Sequence, residues 1–586
     1  MRKLLTALAA ATILAGAANA ATVYPLDRAT ILAGSPFDFK VEFDGVVKKE
    51  DVKVTINGQD AKAVLGADFD FVGDEQDKDG KSLGSAVILR AAKVTKAGAY
   101  KVEVSAGDQT KTVTWDVFGT SATPKAKNII FLLGDGLSVG HRTAARLMSK
   151  GMAEGKANGR LNMDDLDHMA FIGTSSTNAI ATDSANTMSA YMTGHKTAIN
   201  ALGVYADRTP ASLDDPRVEN IAEAVRRLTK KSIGVVSTAE IEDATPAAVV
   251  SHTRKRGDKA DIAAMFLDTK PDVILGGGSA YFLSKDVPGS KRKDDKDLIK
   301  TFKDDGYALA TDKTELASAA GGTNTGKILG LFHTGNMDVT LDREFLKKGT
   351  VGKFPNQPGL KDMAKVALDQ LSKNPEGFFL MIEGASIDKQ AHTMDWDRSV
   401  FETIEFDQVV GLAREFAKTH PDTLIVVTGD HTHGVSVIGT IDDEKPGTDM
   451  REKVGVYADA GFPNYEDKDG DGFPDKVDVT RRLAIFANNY PDYYETFRPK
   501  MDGPFEPAIE NEKKEYVANP AYRDVPGAVL REGNLPRNAE TAVHAVDDVV
   551  LQATGPGAEE FKGYMEESDV YRVLADTFAL GNDRNM

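Results

Sequence analysis

Asn128-Ile129-Ile130-Phe131-Leu132-Leu133-Gly134-Asp135-Gly136 decides the fold: an unbroken apolar run ends abruptly on a carboxylate set between two glycines. A strand with one wet face alternates polar and apolar residues, so this run predicts a strand covered on both faces. The texture recurs at Ser232-Ile233-Gly234-Val235-Val236, Asp272-Val273-Ile274-Leu275, Phe378-Phe379-Leu380-Met381-Ile382 and Leu424-Ile425-Val426-Val427, with helical stretches such as Val218 to Leu228 and Leu360 to Leu371 between. Short buried strands alternating with helices predict an α/β fold with a doubly wound, mostly parallel sheet over residues 128–586. Polar chemistry follows several strands: Gly134-Asp135-Gly136, Glu240 to Thr245, Glu383 to Asp388 and Gly429 to His433. Open α/β sheets bind ligands at the carboxyl ends of their strands, so these groups are expected to meet in one crevice.

Outward from that core the texture changes. Residues 21–120 contain short alternating runs such as Phe37 to Phe43, Val52 to Gly58, Tyr100 to Val104 and Lys111 to Phe118, which predict a small immunoglobulin-like β-sandwich. Residues 121–127 read as a linker, and about 435–538, polar and rich in Pro and Tyr, as an insertion that decorates or lids the site. Residues 1–20 read as a secretory signal, with Arg2-Lys3, an apolar run from Leu4 to Leu14 and Ala18-Asn19-Ala20. That run is shorter than the roughly 20 residues needed to span a bilayer. The expected location is periplasmic or secreted, with no transmembrane segment.

The 586 residues include no cysteine, so disulfides and thiolate metal sites are excluded and any metal must sit on oxygen and nitrogen. A net charge of −18 disfavours nucleic acid and anionic membranes as partners. It also repels phosphate esters, so a site for one needs strong local positive charge.

Ser184, in Thr182-Asp183-Ser184-Ala185-Asn186, lies between a carboxylate and a helix start and is the candidate nucleophile. A serine hydroxyl needs a base, a charge or a metal to attack at neutral pH. Together with Gly134-Asp135-Gly136, Asp243-Ala244-Thr245-Pro246, Glu383-Gly384-Ala385-Ser386-Ile387-Asp388-Lys389-Gln390 with His392, Asp430-His431 with His433, and His544, this segment resembles the alkaline phosphatases from about Lys127 onward, in the family's motif order.

The resemblance implies a metal-dependent phosphomonoesterase in which Ser184 becomes a phosphoserine. It implies one zinc on Asp135, Asp430 and His431, a second on Asp388, His392 and His544, and a magnesium on Asp135, Asp243, Thr245 and Glu383. Imidazole and carboxylate suit Zn²⁺, whereas an all-oxygen set suits Mg²⁺. If helical, Asp388-x-x-x-His392 places both side chains on one face. Arg256 matches the family's phosphate-gripping arginine, with Arg254 as its rival, and Lys389 is implied to reach phosphate through water. His433 is expected to orient a carboxylate. The remaining histidines, His195 and His252 among them, carry no motif and are expected to be surface or core residues.

Separately, Asp467, Asp469, Asp471, Asp475 and Asp478 stand at positions 1, 3, 5, 9 and 12 of a candidate calcium loop. Asp77-Lys78-Asp79-Gly80 reads as a turn. Phosphate monoesters are the expected substrates and a homodimer is possible by resemblance. The alternatives are a phosphodiesterase or sulfatase of the same fold, or a calcium-stabilised surface binding protein. The sulfatase reading is weakened because no Pro-x-Arg follows Ser184.

Overall fold

The computed structural model describes residues 21–581 apart from 322–325 and 488–489; the expected signal segment lies outside the described residues. The burial-patterned runs form one ten-stranded sheet. In spatial order its strands are Tyr307–Ala310, Lys327–Leu331, Val273–Gly277, Ser232–Glu240, Phe378–Gly384, Asn128–Gly134, Thr423–Thr428, Val549–Thr554, His168–Gly173 and Lys562–Glu566. Every pairing is parallel except the two made by Val549–Thr554. The sheet is therefore mixed, mostly parallel, and covered on both faces by two large apolar clusters. Asn128–Gly134 is buried at every residue, as its composition requires.

Residues 22–118 form two sheets, one of four strands and one of five, around a core centred on Trp115, Phe37 and Phe39. That core also takes in Tyr205 and Val218 from the larger unit. Asp77 to Gly80 is a turn, where Asp77 Oδ1 accepts from Asp79 N at 2.9 Å and Lys81 N at 2.8 Å. Within 435–538 lie a three-stranded sheet of Val435–Asp442, Val454–Gly455 and Arg481–Ala487, a small hairpin of Ala508–Glu510 and Tyr516–Ala518, and an antiparallel pair of Tyr493–Glu495 and Val529–Arg531. No helix among the described residues is long and apolar enough to cross a membrane.

Candidate active site

Strand register gathers the carboxylates before any side chain is placed. Leu133 pairs with Glu383 on one side and Thr428 on the other, and Ser237 also pairs with Glu383. Asp135, Glu383 and the turn carrying Asp430 therefore leave the sheet at one level. Gly136 has φ +67°, and a Cβ there would lie 2.9 Å from His433 Cδ2. Glycine alone allows that turn under a packed imidazole. The freed Gly136 N–H donates to Asp430 Oδ1 at 3.0 Å, as does His431 N–H at 3.1 Å.

Ser184 is the first residue of the helix Ser184–Thr193. Asp183 caps it, accepting from Asn186 N at 3.1 Å while the Asn186 side chain accepts from Asp183 N at 2.9 Å. The Ser184 hydroxyl lies 3.3 and 3.4 Å from the two Asp135 oxygens and 3.3 Å from His431 Nε2. At a helix N-terminus the backbone N–H groups favour negative charge, which suits both an ionised serine and an incoming anion.

Two groups of ligand-type atoms are each mutually within 4.8 Å: Asp388, His392, His433 and His544, and Asp135, Asp388 and His431, the second containing the Asp135 and His431 that flank this hydroxyl. Asp388 and His392 share the short helix Ser386–His392, and Asp388 Oδ1 lies 3.4 Å from His392 Nε2 and 3.5 Å from His544 Nε2. His433 Nε2 makes a short hydrogen bond to Asp388. The far nitrogens are tied back, His392 Nδ1 to the Ala542 carbonyl at 2.6 Å and His544 Nδ1 to the Thr182 carbonyl at 2.7 Å. A neutral ring that donates through Nδ1 presents its Nε2 lone pair to the cluster.

The donor chemistry fits divalent cations. Asp430 Oδ2 and Thr245 Oγ1 are buried without hydrogen-bond partners, at a cost of about 1–3 kcal/mol each that a cation would remove. Burial pushes the Asp430 and Glu383 carboxyls well above their ordinary range, and the Asp135 charge adds to the rise. For Asp388, burial opposes the charge, yet His392 and His433 hold it well below that range. Carboxylate and imidazole without thiolate suit zinc and magnesium.

The third-metal set is divided. Asp243 caps the turn Ala244–Ala247, but its oxygens also accept from Arg256 Nη2 at 3.0 Å and Lys389 Nζ at 2.8 Å. Burial would raise its carboxyl, yet Lys389, Arg256 and Lys259 hold it well below the usual range. Glu383 accepts a short bond from Ser237, a partner that no sequence motif indicates. Arg256 also reaches Asp183, the residue before Ser184, at 3.3 Å, so it joins the serine's neighbour to Asp243. Arg254 points away, onto Asp215 at 2.8 Å and the Asp207 carbonyl at 2.8 Å.

Sequence reasoning passed over Lys259, whose ammonium pairs with Glu240 and lies 3.9 Å from Asp243. It also passed over the double hold of Asp183 and Asp243 on Arg256; no short-range spacing signals either. His195 is buried against the Tyr205 hydroxyl at 2.7 Å, and His252 pairs with Glu223 at 3.0 Å. In the acidic loop, Asp467, Asp469 and Asp475 come together. Asp478 does not join them, because Arg498 holds it at 2.9 Å, and Asp471 accepts from Phe473 N at 2.7 Å.

A family profile described as "Alkaline phosphatase" matches residues 126–580. The alkaline phosphatase of Escherichia coli (strain K12) is 34% identical over 381 residues, spanning 58% of this chain and 78% of its own. Alkaline phosphatase 4 of Bacillus subtilis (strain 168) is 30% identical over 466 residues, spanning 78% and 89%. The solved structure of Thermus thermophilus alkaline phosphatase shares the fold with a TM-score of 0.56 at 23% identity, over 79% of this chain and 93% of that one.

Proposed function

The chain belongs to the alkaline phosphatase family, a metal-dependent phosphomonoesterase by that membership, and we propose that it is exported and works through a phosphoserine on Ser184. The observation that carries the reading is the Ser184 hydroxyl held 3.3 Å from both Asp135 and His431 at a helix N-terminus. Ser184 Oγ gives up its proton to solvent and attacks phosphorus as the ester P–O bond breaks, and the leaving alkoxide takes a proton from water. Water then attacks the phosphoserine, releasing inorganic phosphate and returning the serine proton. Arg256, steadied by Asp183 and Asp243, grips two non-bridging oxygens through its planar fork. Lys389 adds positive charge beside Asp243, which offsets the net negative field of the chain at the point where the ester must enter.

Two zinc ions are the proposed occupants of Asp135, Asp430 and His431 and of Asp388, His392 and His544, with magnesium on Asp135, Asp243, Thr245 and Glu383. When bound, they would supply Lewis-acid stabilisation of the attacking and leaving oxygens. His433, bonded to Asp388, orients that carboxylate. We assign residues 1–20 to a signal segment, the two-sheet N-terminal unit to an immunoglobulin-like class, calcium to Asp467, Asp469 and Asp475, and a homodimer to the assembly. The test is p-nitrophenyl phosphate turnover with metal analysis. Ser184→Ala is expected to lose turnover and acid-stable phosphate labelling while keeping its metals. Full turnover by that variant, or faster cleavage of the bis-ester than the monoester, defeats the reading.

A further inference from the structure

We propose that the N-terminal sandwich positions Arg256 through a buried chain of ion pairs running from Lys40 to Asp207 to Arg254. The inference rests on the assignment of Arg256 as the phosphate grip. Lys40 lies on the sandwich strand Phe37–Glu42, with its side chain 2% exposed. Its ammonium binds Glu42 at 2.9 Å and Glu75 at 2.7 Å within the sandwich, and Asp207 of the larger unit at 2.6 Å. Asp207 is equally buried and closes the circuit on Arg254, accepting from Nη2 at 3.2 Å through its side chain and from Nη1 at 2.8 Å through its carbonyl. Arg254 Nε donates to Asp215 at 2.8 Å, and Asp215 accepts from Asp207 N at 2.9 Å.

Arg208 completes the bridge, donating to Glu75 at 2.8 Å and to the Phe43 and Ser85 carbonyls of the sandwich at 2.7 and 2.9 Å. The segment that carries Arg254 then runs straight into the site. Thr253 and Leu202 exchange backbone hydrogen bonds, Arg256 N–H donates to the Asn200 carbonyl at 2.9 Å, and Asn200 N–H reaches Asp183 at 3.2 Å. A two-point grip on phosphate requires the guanidinium to be held in one orientation, and a long arginine stem does not hold itself. Ion pairs away from water are directional and stiff, so Lys40, Asp207 and Arg254 act as positioning residues, and the sandwich becomes part of the substrate-binding apparatus.

The test uses the full chain with its metals. KM, kcat and the inhibition constant for inorganic phosphate are measured for wild type, Asp207→Asn and Arg254→Met, each alone and combined with Arg256→Ala. Each single variant is expected to raise KM and the phosphate inhibition constant together by about tenfold with unchanged metal content, and to have less than about twofold further effect once Arg256 is gone. Effects that multiply on the Arg256→Ala background, or that fall on kcat alone, overturn the inference. Should Asp207→Asn not fold, Lys40→Arg and Lys40→Met take its place: the arginine is expected to keep phosphate affinity and the methionine to lose it, and equal affinity in both overturns the inference. A wild type that turns over no monoester defeats the reading of the site itself and is separable from either result.

Discussion

Arg256 sits between the two carboxylates of Asp183 and Asp243, so on the proposed assignment an arriving phosphate would exchange with groups already paired to the guanidinium. Arg256→Ala is expected to raise both KM and the phosphate inhibition constant by about a hundredfold, with Arg256→Lys recovering only part because a point charge cannot replace a fork. Steady-state kinetics with phosphate as inhibitor checks this, and equal affinity in all three proteins removes the assignment. At this scale the sequence is legible where a residue lies at or just past the carboxyl end of a buried strand, as Asp135, Glu383 and Asp430 do. It is illegible where two candidates differ by a single turn of side chain. Arg254 and Arg256 stand in one polar stretch, and what separates them is Asp215 and Asp207 on one side against Asp183 on the other, partners distant in the chain.

The helix Glu567–Thr577 packs against the helix that begins with Ser184, and its first residue is a fully buried glutamate whose two oxygens lack hydrogen-bond partners. Burial pushes the Glu567 carboxyl from 4.5 up to about 8, with Lys196 opposing the rise and Glu566 adding to it. Between those values the folded chain keeps a proton that the unfolded chain has released, so stability falls as pH rises through the window, and the full penalty stands above the upper limit. Glu567→Gln removes that dependence. It is expected to melt at least about 2 °C above wild type at pH 8.5 and level with it at pH 5, as read by calorimetry at both pH values. Elements buried on both faces were the readable ones. The strand Val549–Thr554 carries the alternating pattern of a half-covered edge and gives no parallel-strand signal. Its antiparallel course is nevertheless what matters for the site: its start lies at the carboxyl ends of its two neighbours, Thr423–Thr428 and His168–Gly173, which is how His544, a few residues earlier, arrives beside His392 at 3.2 Å.

Over the whole molecule, the site concentrates Asp135, Glu383, Asp388 and Asp430 in a buried crevice of a chain that is already anionic. Cations that bind only the folded state stabilise it by mass action, by about 3 kcal/mol at a hundred times the dissociation constant. Chelation is therefore expected to abolish turnover and lower the melting temperature together, and zinc with magnesium to restore both; a melting curve indifferent to chelator would detach the carboxylate cluster from metal binding. The large mostly parallel sheet was readable from strand texture, whereas its bond to the two-sheet N-terminal unit was not, because Lys40 and Asp207 look like surface charges until the fold buries them. One arrangement reaches beyond the finished protein. On the proposed assignment the groups of the reaction centre are spread from Asp135 to His544 along the chain, so a ribosome that has made most of the polypeptide would still have made no complete centre. The nascent protein would stay chemically silent until its last imidazole had been synthesised, with catalysis beginning only after translation had all but finished.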